Sequence, residues 1–153
     1  MPIRHAALAI GFALALCGCA TVQYGDKDTQ ARLRQLLPVA GKTSLYVCRE
    51  AAAFLGAGNR TTVMLNGRAI GTLKPSNFAH AVVEPGAHEI YIRRSPGGDS
   101  GALRVTSQPG EVVVLWVGIT GAGFGALTID HFSNRSEAER CVQGGEYSVP
   151  ADS

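Results

Sequence analysis

From Ser44 to Phe132 the chain alternates short apolar runs with turn-forming residues. Ser44 to Arg49 (SLYVCR) is rich in strand formers. Thr61 to Leu65 and Arg68 to Leu73 flank Asn66-Gly67, a pair that accepts the positive φ of a type I′ turn, which predicts a tight hairpin. Phe78 to Val83 and Ala87 to Arg94 flank Glu84-Pro85-Gly86. Ala102 to Ser107 and Glu111 to Ile119 flank Gln108-Pro109-Gly110. Both read as further hairpins, and Leu127 to Phe132 as a last strand. Turn signals about every eight to twelve residues predict an all-β fold, a small antiparallel β-sandwich of about seven or eight strands.

Two short helices frame the strands. Asp28-Thr29 can cap the first, with Leu33, Leu36 and Leu37 on one face and Pro38 stopping it at Leu36 or Leu37. Ser136 and Glu139 have capping-box spacing for the second. Ala138, Cys141 and Val142 form its inward stripe, and Gly144-Gly145 its stop. The run Val112 to Val117 is apolar on both faces, so it is either a central strand covered on both sides or half of an interface.

The first residues follow another pattern. Ala6 to Cys19 carries no charge behind a start that contains Arg4. Its fourteen residues span about 21 Å as a helix, short of the ~30 Å hydrocarbon core. This predicts a secretory signal peptide. Leu16-Cys17-Gly18-Cys19 resembles the lipobox of bacterial lipoproteins. The resemblance implies cleavage between Gly18 and Cys19, a diacylglycerol on the Cys19 sulfur and an acyl chain such as palmitate on the new amino group. Ordinary cleavage after Ala20, from the small residues Gly18-Cys19-Ala20, is the alternative. Ala20 rather than Asp as the second mature residue implies sorting to the inner leaflet of the outer membrane, facing the periplasm. The expected organisation is a signal peptide over 1–18, a tether over 19–27, one β-sandwich domain over 28–146 and a flexible tail over 147–153.

A wider resemblance rests on Gly41-Lys42 with Ser44-Leu45-Tyr46-Val47-Cys48-Arg49, on Val63 to Leu73 around Asn66-Gly67-Arg68, and on Val82-Val83-Glu84-Pro85-Gly86-Ala87-His88. Over residues 41 to 142 this resembles bacterial lipoproteins that carry the domain of unknown function 2846, with Asn66 where Asp is commoner. A similar hairpin-and-turn rhythm occurs in PEGA domains. The resemblance implies a small β-sandwich and carries no activity with it.

Composition narrows the function classes. The 153 residues are 46% hydrophobic and 17% charged, which suits one domain with a real core. A formal charge of +2 gives no electrostatic case for nucleic acid. Once Cys17 is removed and Cys19 acylated, Cys48 and Cys141 remain; in an oxidising compartment they predict a disulfide, two buried thiols being the alternative.

The catalytic candidates are sparse. Gly98-Asp99-Ser100-Gly101 and His80 resemble parts of a serine-protease set, and a small cell-wall-modifying hydrolase using Ser100 and His80 is the alternative function. Gly41-Lys42-Thr43 lacks the earlier glycine of a P-loop, Leu36 standing there. His80, His88 and His131 have no metal-motif spacing, so neither metal nor other cofactor is expected. Tyr46, Tyr91 and Trp116 could stack on a sugar if gathered on one face. Gly118, Gly121, Gly123 and Gly125 around Phe124 predict a glycine-rich bend. The expected function is therefore non-catalytic: a module tethered through Cys19 that binds or supports an envelope protein or polysaccharide.

Overall fold

A computed structural model of the chain describes residues 21–51, 58–94, 98–119 and 126–151. The segment expected as a signal peptide, Cys19 and the glycines at 121, 123 and 125 lie outside the described residues. The fold is all-β, as the turn rhythm predicts, with two small helices. Eleven strands are described, in chain order: β1 (Gln23–Tyr24), β2 (Thr43–Arg49), β3 (Thr61–Leu65), β4 (Arg68–Leu73), β5 (Asn77–Val83), β6 (Gly86–Arg94), β7 (Gly98–Asp99), β8 (Leu103–Ser107), β9 (Val112–Ile119), β10 (Leu127–His131) and β11 (Glu146–Val149). Helix α1 (Lys27–Leu33) lies between β1 and β2, and α2 (Arg135–Gly144) between β10 and β11.

Two sheets face each other. The first runs β1-β11-β5-β2-β9-β10. The second runs β4-β3-β6-β7, with β8 also on β6. Leu45, Val47, Ala79, Val113, Leu115, Val117, Leu127 and Ile129 of the first sheet meet Val63, Leu65, Leu73, Ile90, Ile92 and Val105 of the second in one buried core. The period of two then sends Tyr46, Cys48 and Phe78 to the opposite face of the first sheet. There they form a second cluster with Val142 of α2, against which Leu33, Leu36 and Phe132 also pack. The helices thus make a third layer on that sheet. All of β2 is buried because it lies between the sandwich core and this layer, which is why its sequence shows little polar alternation.

The Asn66-Gly67 hairpin forms as predicted: β3 pairs with β4, and both turn residues have positive φ, 48° and 79°. The other two turns do not make hairpins. Across Glu84-Pro85 the chain passes from β5 in the first sheet to β6 in the second, and across residues 108–111 it passes from β8 back to β9. Proline and glycine specify the reversal there, whereas the partner of each strand is set by which apolar face it must bury. In consequence β9 pairs with β2 in parallel, and β11 with β5 likewise, so the first sheet is mixed rather than purely antiparallel.

Both chain ends depart from expectation. The segment expected as a tail carries β11 as far as Val149, and the segment expected as a tether carries β1, which pairs with β11 through Gln23↔Val149 and Tyr24↔Ser148. The first helix is capped by Asp26, not Asp28 or Thr29; its carboxylate accepts the Thr29 amide at 2.8 Å. It ends at Leu33, because Leu36 turns to φ 52° and Leu37 is 60% exposed. The second is capped by Asn134, which accepts the Glu137 amide at 3.0 Å and the Ser136 hydroxyl at 2.8 Å. Glu139 pairs with Arg135 instead of reaching back to Ser136.

Candidate functional site

The pairing of Cys48 with Cys141 is present. The two residues lie 93 apart in sequence, with their Cα atoms 6.2 Å apart. Cys48 is on the outer face of β2 and Cys141 on the inward stripe of α2, where Ala138 and Val142 are buried. The bridge therefore fastens α2 to the centre of the first sheet. Closing a loop of this length stabilises a fold by up to about 4–5 kcal/mol.

Helix α1 is held by side-chain bonds. The Tyr46 hydroxyl donates to the Leu33 carbonyl at 3.1 Å. The Arg34 guanidinium donates to the Gly145 carbonyl through Nε at 3.1 Å and Nη2 at 2.6 Å, joining the ends of α1 and α2. Gln30 accepts the Tyr147 amide at 2.9 Å. Burial first, and the nearby Tyr147 second, push the Tyr46 hydroxyl up to about 12, so it stays a neutral donor.

Between the segment that follows α1, helix α2 and β9 lies a cavity of about 620 Å³. Leu36, Pro38, Val112, Val114 and Phe132 supply apolar wall; His131, Asn134, Arg135 and Glu139 supply polar groups. The unusual φ of Leu36 belongs to this wall. A non-glycine residue there costs of order 1 kcal/mol and persists only where its surroundings hold it. The apolar run Val112 to Val117 is thereby explained. Val113, Leu115 and Val117 are buried in the sandwich, while Val112 and Val114 are half-buried and face the groove. Beyond them the Trp116 indole donates to the His131 carbonyl at 3.1 Å. A Cβ on Gly118 would run into that ring, so this glycine makes room for Trp116.

The residues considered for catalysis are not gathered. His80 is on β5 of the first sheet, its ring 4.5 Å from that of Tyr46. Its Nε2 is buried without a partner among the described residues, and burial pushes the imidazole down to about 4. Asp99 and Ser100 are at the edge of the second sheet, beside β6. Asp99 pairs with Arg93 at 3.3 Å. The Ser100 hydroxyl accepts the Ile92 amide and donates to the Gly101 carbonyl, both at 2.9 Å. His88 braces the hairpin turn, with Nδ1 2.9 Å from the Asn66 amide nitrogen and Nε2 2.7 Å from the Glu84 carbonyl.

The aromatic residues are dispersed as well: Tyr46 is buried beneath α1, Tyr91 is on β6 beside Arg93, and Trp116 is on β9. No cluster of three metal-ligating side chains is found among the described residues. The groove escaped sequence reading because its walls come from positions 36, 112, 132 and 138, which no local pattern connects. The doubly apolar strand β9 was the one signal that pointed to it. Comparison with protein-family models and with curated proteins returns no match for this chain.

Proposed function

We propose that the chain is a lipoprotein anchored through Cys19 in the inner leaflet of the outer membrane, of the kind that carries the domain of unknown function 2846. In this reading it serves, without catalysis, to bind an envelope protein. The lipobox residues Leu16-Cys17-Gly18-Cys19 support the anchor. The observation that carries the binding role is the groove beside β9. It combines an aliphatic surface with a polar rim, and its walls are held by a disulfide and by Arg34. Rigid concave sites with apolar lining and a few polar groups are where ligands bind. Its lining favours an apolar protein segment over a glycan, because only Phe132 contributes a ring of the stacking kind.

The test is in-cell cross-linking with the native chain and with Val114→Lys, which places a charge on the groove surface. A protein adduct present in the first and lost in the second is expected. An identical adduct in both would overturn the groove as the site, and a chain that instead co-sediments with purified peptidoglycan would replace the protein segment by a glycan. Mass spectrometry of the mature chain tests the anchor separately, through the lipid mass on Cys19.

A further inference from the structure

The way the chain enters the fold gives it an orientation. Gln23 and Tyr24 pair with Val149 and Ser148, and the Gly25 amide donates to the Tyr147 carbonyl at 3.1 Å. Gly25 lies so close beneath the Tyr147 ring that a Cβ could not fit. The backbone is therefore fixed from Gln23 onward. Only Ala20, Thr21 and Val22 separate it from Cys19. Four residues of extended chain span at most about 14 Å. With a lipid on Cys19, edge strand β1 must lie within that distance of the membrane surface.

The residues at this edge suit a headgroup layer. Tyr24 is 43% exposed, and the Lys74 ammonium sits 5.2 Å from the centre of its ring. Arg60 is near enough to act on Lys74 electrostatically, as is Glu146 with the opposite sign. Tyrosine favours the membrane–water interface, where its ring is half in and its hydroxyl is wet. A lysine beside it can meet lipid phosphate. With Glu146 acting on Lys74, and Asp26 and Asp28 following Tyr24 in the chain, this is no strongly basic patch. The lipid supplies the affinity and the edge sets the attitude. The groove lies over β9, four strands from β1 in the same sheet. At about 4.8 Å per strand it is ~19 Å away.

We propose that the β1 edge, with Tyr24 and Lys74, rests on the phospholipid headgroups around the Cys19 anchor and holds the groove at the far side of the sheet, turned away from the bilayer. This rests on the lipoprotein reading. Trp116 is the one tryptophan and lies beside the groove, so it reports the distance. In the mature chain Cys19 is the single cysteine outside the disulfide, so a maleimide phospholipid can be coupled there.

The lipid-bearing chain is reconstituted in phosphatidylethanolamine–phosphatidylglycerol vesicles containing dansyl-phosphatidylethanolamine, and energy transfer from tryptophan is measured. A Trp116→Phe/Tyr24→Trp chain is expected to transfer at least twofold more than the native chain. Tyr24→Ser/Lys74→Glu, which changes only surface residues and keeps Trp116, is expected to raise transfer from Trp116. Equal transfer from positions 24 and 116, or no response to the surface pair, would overturn the orientation. Absence of lipid on native Cys19 would show by mass and would overturn the anchor instead, since the coupled chain still reports the geometry.

Discussion

Ser148 joins the two sheets through Thr72: its hydroxyl donates to the Thr72 carbonyl at 2.7 Å and accepts the Thr72 amide at 3.1 Å. Both residues are buried, Ser148 completely. One side chain of β11 thus satisfies both backbone groups of an edge residue of β4. Ser148→Ala leaves a buried amide and a buried carbonyl unpaired. The expected cost is about 1–3 kcal/mol, read as a lower urea midpoint at unchanged slope.

Removing the disulfide by Cys48→Ala/Cys141→Ala should lower stability by about 3–5 kcal/mol in chemical denaturation. It should also loosen α2, and with it the groove. Hydrogen exchange is expected to speed up in residues 135–144 before it does so in β2.

Gly118→Ala should displace the Trp116 ring and break its bond to the His131 carbonyl. The tryptophan emission is expected to shift toward that of a solvated indole. The loss of stability should be about 1–2 kcal/mol, as for other forced repacking.

The stability of the protein should fall as the solution is acidified, in a window set by His80. Burial holds its folded pKa at about 4 against an ordinary 6.5. Above pH 6.5 the ring is neutral in both states and contributes nothing. Between 6.5 and about 4 the unfolded chain binds a proton that the folded chain refuses, so stability is lost progressively. His80→Gln should flatten the unfolding midpoint across that window. Asp26, whose carboxyl is held below its usual range by the Thr29 amide, acts in the same direction only under pH 3.8, and its effect should survive the His80 change.

Local chemistry was legible wherever it decides the structure by itself. Asn66-Gly67 forces its hairpin, and Cys48 finds Cys141 as their number and placement predict. Pro85-Gly86 and Pro109-Gly110 predict hairpins that do not form, because a turn specifies that the chain reverses, not which sheet takes the next strand. Tyr147-Ser148-Val149 is too short to show alternation, and its place is set by Thr72 and Tyr24, distant in sequence. The groove was the least legible feature, being a product of assembly. The burial of His80, a polar residue on a strand face, depends on its contact with Tyr46.

The pairing of Gln23 with Val149 has a bearing on biosynthesis. The strand nearest the amino end is completed by the one nearest the carboxyl end, and the middle of the same sheet is shared by β2, β5 and β9. No nascent chain shorter than about 150 residues can close this sheet. In the lipoprotein reading proposed above, the whole chain must leave the translocation channel before the globule can close, and periplasmic chaperones would guard that interval.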